Sequence, residues 1–97
     1  MTYRYNEVAE LELNEAAQFY ENRARGLGLE FLDEVDAGIT RILGAPLLWP
    51  DEGDGVRRYR IRRFPYGLFY RMTGPDEVEI VAVADLRRKP GYWRDRV

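Results

Sequence analysis

Apolar and polar positions change their period along the chain, and each change marks an element. Thr2-Tyr3-Arg4-Tyr5 alternates as a strand does. It is too short to stand alone, so it must pair with a later strand. Asn6 then has the chemistry of a helix N-cap, although Ala9 three residues on denies it a capping box. From there Ala9, Leu13, Ala16, Ala17, Tyr20 and Ala24 recur at helical spacing, leaving Glu7, Glu10, Glu12, Glu15 and Glu21 largely to the other surface. Gly26 and Gly28 are expected to end this helix. A second helix is expected from near Leu29 to about Gly44, with Phe31, Leu32, Val35, Ile39, Ile42 and Leu43 as its apolar stripe and Glu30, Asp33, Glu34 and Asp36 pointing away. Gly38 inside it reads as a point of close helix–helix approach. The short link between the helices makes them an antiparallel hairpin.

Pro46 and Pro50 close the second helix and open an acidic, glycine-containing loop over Trp49–Gly55, with Trp49 expected as a lid over the helix ends. The remainder reads as strands. Val56–Phe64 alternates, with Tyr59 and Ile61 toward the helices and Arg58, Arg60 and Arg62 outward. Pro65-Tyr66-Gly67 supplies a turn, Leu68–Thr73 a strand and Gly74-Pro75-Asp76 another turn. Val78–Ala84 is almost wholly small and apolar, as suits a central strand covered on both faces. The fold class is therefore α+β: a strand, a helical hairpin and a three-stranded antiparallel meander, in one twisted antiparallel sheet. The hairpin covers one face of that sheet, and the other is expected to be partly open, concave and lined with arginine.

The 97 residues, 45% apolar, suit one domain spanning the chain, residues 1–97. Cysteine and histidine are both absent, which removes thiolate chemistry, the commonest general base and the commonest metal ligand. No apolar run approaches the roughly 20 residues of a membrane span, and the N-terminus lacks a signal-peptide core, so a cytoplasmic protein without a membrane partner is expected. The net charge of −2 hides a strong asymmetry. Met1–Gly55 carries four basic and twelve acidic residues, or −8, and Val56–Val97 carries eleven basic and five acidic, or +6. A strand-rich half this basic is suited to phosphate or to an acidic protein.

Arg58, Arg60 and Arg62 beside Arg71 form a candidate phosphate-binding patch, because guanidinium forks match phosphate oxygens. They are equally readable as a solvated face paired with Glu77 or Glu79. Arg87-Arg88-Lys89-Pro90-Gly91-Tyr92-Trp93 places a basic triplet next to two aromatic residues, able to grip a phosphate and stack a base. Alternatively, Tyr92 and Trp93 fold back and close the core. Glu30, Asp33 and Glu34 have the spacing of an ordinary exposed helix face, so neither a metal nor another cofactor is expected.

Phe31-Leu32-Asp33-Glu34-Val35, Val56-Arg57-Arg58 after an acidic glycine loop, Phe64-Pro65-Tyr66, Phe69-Tyr70-Arg71, and Arg87-Arg88 followed by Pro90-Gly91-Tyr92-Trp93 occur together. In this order they resemble the RelE/ParE superfamily of toxins from bacterial type II toxin–antitoxin modules. The resemblance implies a growth inhibitor, associated with plasmid stabilisation, that a cognate antitoxin wraps and neutralises. It also implies one of two targets: ribosome-bound mRNA, cut by RelE-type members, or DNA gyrase, poisoned by ParE-type members that cleave nothing themselves. A metal-independent RelE-type nuclease would draw its catalytic residues from Arg58, Arg60, Arg88 (or Arg87) and Tyr92. Binding of target or antitoxin would draw on Arg58, Arg60, Arg62, Arg71, Arg87, Arg88 and Lys89. The arginine expected at the start of the next strand is Gly67 here, and losing one such transition-state contact typically costs on the order of 10²–10³ in rate. Arginines in place of strand lysines are also poor general bases, with a pKa of about 12 or higher. The resemblance therefore leans toward the ParE side. A RelE-like endonuclease is the alternative, and an antitoxin-binding member without toxicity is a second one.

Overall fold

The computed structural model describes residues 1–88 and 91–97. Its elements are β1 (Thr2–Tyr5), α1 (Glu7–Arg23), α2 (Leu27–Gly44), β2 (Arg57–Arg60), β3 (Tyr66–Gly74), β4 (Glu77–Asp85) and a short 3-10 turn at Arg94–Arg96. The expected α+β order is thus present. Asn6 caps α1 as anticipated, its Oδ1 accepting from Ala9 N at 2.8 Å.

The sheet order is β1-β4-β3-β2, with β4 central. β2 pairs with β3, and β3 with β4, in antiparallel fashion, but β1 runs parallel to β4. The expected all-antiparallel sheet is therefore mixed, and the topology explains why. The helical hairpin returns the chain to the level where β1 ended. Tyr70, which pairs with Arg57 and with Ile80, the partner of Tyr5, donates to Pro46 O just after α2, and β2 leaves from there in the direction of β1. Two reversals in the meander then leave β4 pointing the same way as β1.

The two helix glycines have different roles from those expected. Gly28 lies inside α2, which starts at Leu27, and a Cβ there would stand 2.5 Å from Ala17 O of α1. It is Gly28, not Gly38, that lets the helices approach. Gly38 instead faces the sheet, where a Cβ would stand 2.7 Å from Tyr59 Cε1 and 3.3 Å from Leu68 Cδ1. Gly26, at φ 86°, makes the sharp link. Glu21 of α1 accepts from Gly26 N and Gly28 N at 3.0–3.1 Å, setting a carboxylate at the positive end of α2.

The principal core lies between the helices and one sheet face and includes Phe31, Ile39, Ile42, Tyr59, Leu68 and Ile80. Half-buried Trp49 joins it edge-on to Tyr59, with ring centroids 5.0 Å apart. A second cluster fills the opposite face: Val56, Phe69, Val81, Ala82 and Ala84, closed by Trp93 at 1% exposure with Leu86 and Tyr92 beside it. The expected open face is thus covered at its centre. Strand alternation places Phe69 there, and the chain after β4 doubles back to bury it, with Trp93 5.3 Å from Phe69.

Candidate functional site at the basic face

β2 ends at Arg60, and Ile61–Pro65 is an irregular link in which Arg63 takes φ 71°. β3 begins at Tyr66, so the turn precedes Tyr66-Gly67. Ile61 and Phe64 are both buried, Phe64 at 4.7 Å from the Tyr20 ring, and this demand breaks the alternation. As a result Arg62 does not continue the strand row of Arg58 and Arg60. Arg58 lies opposite Phe69, and Arg60 opposite Gly67.

The predicted arginines divide according to their partners. Arg71 is committed to structure: its Nε donates to Glu79 Oε1 at 2.8 Å, and Arg4 Nη1 donates to Glu79 Oε2 at 2.8 Å. Arg4, Glu79 and Arg71 stand in register across β1, β4 and β3. Glu79 is only 6% exposed, and a carboxylate so buried needs both guanidiniums. Arg87 grips Asp85 through Nε at 3.0 Å and Nη2 at 2.9 Å, which holds the Asp85 carboxyl below its ordinary range. Arg58 has only a loose approach to Glu52, at 3.9 Å. Arg60, Arg62 and Arg88 have no carboxylate partner among the described residues; Arg88 lies with Cζ 5.8 Å from the Tyr92 ring centroid. Lys89 falls outside the described residues.

Tyr92 is half-buried, and its hydroxyl donates to Glu12 Oε2 at 2.7 Å. Burial first, and then this bond, push the phenol well above its ordinary range. Glu12 also accepts from Arg96 Nη1 at 2.8 Å, from Arg96 Nη2 at 3.0 Å and from Val83 N at 3.1 Å. Arg96 Nη1 in turn donates to Val81 O at 3.1 Å. β1 pairs with β4 only as far as Ile80. Beyond it, the Glu12–Arg96 pair satisfies the edge groups of β4 that a longer β1 would have taken. That pair fixes the tail.

Arg58, Arg88 and Tyr92 meet at one cavity of about 100 Å³, together with Phe69, Leu86, Trp93 and Arg94. Arg60, Arg62 and Arg71 do not line it. A larger, more open groove of about 420 Å³ lies on the far side of Tyr92, between α1 and the sheet, lined by Phe19, Tyr66 and Arg87 among others. Sequence reasoning missed Glu12, Arg94 and Arg96. Arg96 and Glu12 are separated by 84 positions, and nothing local marks them as partners. Among the described residues no three acidic groups gather as a metal site, and no helix is long and apolar enough to cross a membrane.

Chemically, the face offers guanidiniums for anionic oxygen and a phenol that stays protonated. A solved structure described as the chromosomal ParDE toxin–antitoxin system from P. aeruginosa shares this fold. Its TM-score is 0.74 over 89% of this chain and 96% of that one, at 19% identity. No curated protein sequence matches. The family model for the ParE toxin of the type II toxin–antitoxin system, parDE, matches residues 3–90. Covering nearly the whole chain, that match places the protein in the ParE toxin family, within the RelE/ParE superfamily.

Proposed function

We propose that this chain is a cytoplasmic growth inhibitor that acts by binding its target, DNA gyrase, rather than by cutting RNA, and that a cognate antitoxin neutralises it. The observation that carries the reading is the state of Tyr92. Its hydroxyl is spent on Glu12 and its phenol is held protonated, so it is poorly placed to take a proton from a 2′-hydroxyl. Gly67 supports the same reading, since it leaves no guanidinium opposite Arg60 on β3. Arg58, Arg60 and Arg88, with Arg87 beside them, form the binding face, where complementary charge would speed association with an acidic partner. Lys89 extends this basic run in sequence. The test is a supercoiling assay with purified toxin and gyrase, repeated after adding antitoxin. Inhibition relieved by antitoxin is expected, and supercoiling untouched at saturating toxin refutes the target.

One observation favours a second reading. Arg58, Arg88 and Tyr92 do line the same cavity, as a RelE-like endonuclease would need. That reading requires Tyr92 to leave Glu12 when RNA binds. It predicts cleavage in the ribosomal A site, lost in an Arg58→Ala/Arg60→Ala/Tyr92→Phe variant.

A further inference from the structure

We propose that the small cavity between β2, the end of β4 and the C-terminal tail is a receptor for one carboxylate side chain of a bound polypeptide. The inference rests on the toxin–antitoxin reading, with the antitoxin as that polypeptide. Its first support is an unused donor. Trp93 is 1% exposed and lines the cavity, yet its Nε1 finds no acceptor among the described residues. Buried donors are nearly always paired, so an orphaned indole N–H on a side chain that lines the cavity favours an oxygen brought by a bound partner.

Charge supplies the second support. Three guanidiniums (Arg58, Arg88 and Arg94) line the cavity against two carboxylates, Glu52 and Asp85, leaving one positive charge in excess. Asp85 already has both oxygens on Arg87. Glu52 is only loosely approached by Arg58, at 3.9 Å, and Arg94 uses Nη2 on the Glu52 backbone oxygen at 2.9 Å. Arg94 Nη1 stands 3.7 Å from Asp54 Oδ2, and Arg88 has no carboxylate partner among the described residues. A single added carboxylate balances the lining, and guanidinium forks can receive it bidentately.

Size and walls select the source of that anion. About 100 Å³ bounded by Phe69, Leu86 and Trp93 suits a carboxylate on a short methylene stem. A nucleic-acid phosphate would have to bring two sugars past the same apolar walls and two resident carboxylates. The neighbouring groove shares Tyr92, Asp85 and Arg88 with the cavity and carries half-exposed Phe19, giving room for side chains that flank the anchoring acid.

The test uses the complete toxin and its cognate antitoxin. Each antitoxin Asp or Glu is changed to Asn or Gln, and affinity is measured against wild-type toxin and against Arg88→Gln. One acid is expected to lose about 10- to 100-fold in affinity with wild-type toxin, the range for a hydrogen bond to a charged group, and little with Arg88→Gln. In parallel, ¹H–¹⁵N spectra follow the indole protons, of which the chain has two, from Trp49 and Trp93. The Trp93 indole proton is expected to move downfield in the complex and to return when that acid is replaced. Tight antitoxin binding with no acid coupled to Arg88 and no indole shift overturns the carboxylate site and leaves the toxin reading standing. An antitoxin that does not bind at all overturns both. A Trp93 shift produced by a deoxydinucleotide, with no acid of the antitoxin coupled, overturns the carboxylate in favour of phosphate.

Discussion

Replacing Glu12 by alanine should unseat the C-terminal tail, and the structure allows the cost to be bounded. The carboxylate accepts four hydrogen bonds, from Val83 N, Tyr92 and both terminal nitrogens of Arg96. The Glu12 and Arg96 side chains are 19% and 16% exposed. Removing one partner of a fully buried ion pair costs about 3–5 kcal/mol, since the other charge is left without compensation. Here solvent reaches part of both groups and Arg96 keeps Val81 O, so about 2–4 kcal/mol is expected. In a domain of this size each kcal/mol moves Tm by about 4–8 °C, so the variant should melt about 8–32 °C lower. Thermal unfolding followed by circular dichroism measures the global effect, and tryptophan emission reports whether Trp93 becomes wetted below the transition. A cycle with Arg96→Ala should show coupling of about 1.5 kcal/mol or more, because the two side chains share one ion pair. A Glu12→Ala protein melting within about 1 °C of wild type, with unchanged emission, would refute the reasoning. Trp93 burial alone would then hold the tail.

Other outcomes follow from single contacts. Gly28→Ala drives a Cβ against Ala17 O, a backbone atom, and should cost about 1–3 kcal/mol in chemical denaturation. Gly44→Ala meets nothing within 4 Å and should be neutral or stabilise by about 0.4–1 kcal/mol. Asp85 is depressed chiefly by its hydrogen bond to Arg87, so it stabilises the fold above its unfolded pKa of about 3.9 and loses that contribution as pH falls through its lower folded value. A denaturation series against pH should therefore show a shallower loss on the acid side in Asp85→Asn than in wild type. Absorbance titration of the phenols near pH 10 should be unchanged in Tyr92→Phe, because burial and Glu12 keep Tyr92 protonated there. A lost step at that pH would mean that Tyr92 is free.

Local pattern carried the elements a long way. Asn6, the apolar stripe of α2 and the run Val78–Ala84 each act through neighbours in sequence, and each lies where the pattern put it. What failed was long-range. Alternation through Val56–Phe64 suggested a longer strand, but the aromatic cluster of Tyr20, Phe31 and Phe64 pulls Phe64 inward and leaves Arg62 off the row. Gly38 looked like a helix–helix contact because sequence cannot tell which neighbour a small residue admits. Of the arginines, only their partners separate structure from binding: Arg71 is held by Glu79, whereas Arg58 and Arg88 reach a cavity. Trp93 had two readings, and its burial on Phe69 decides for packing while leaving its N–H unused.

The most direct test of the central claim is expression of the toxin alone in growing cells, with translation and DNA supercoiling read in parallel within minutes of induction. The account predicts intact mRNAs, gyrase-linked DNA breaks and an SOS response, all relieved by co-expressed antitoxin. Rapid loss of protein synthesis with mRNAs cut inside coding frames would contradict it and make the basic face catalytic.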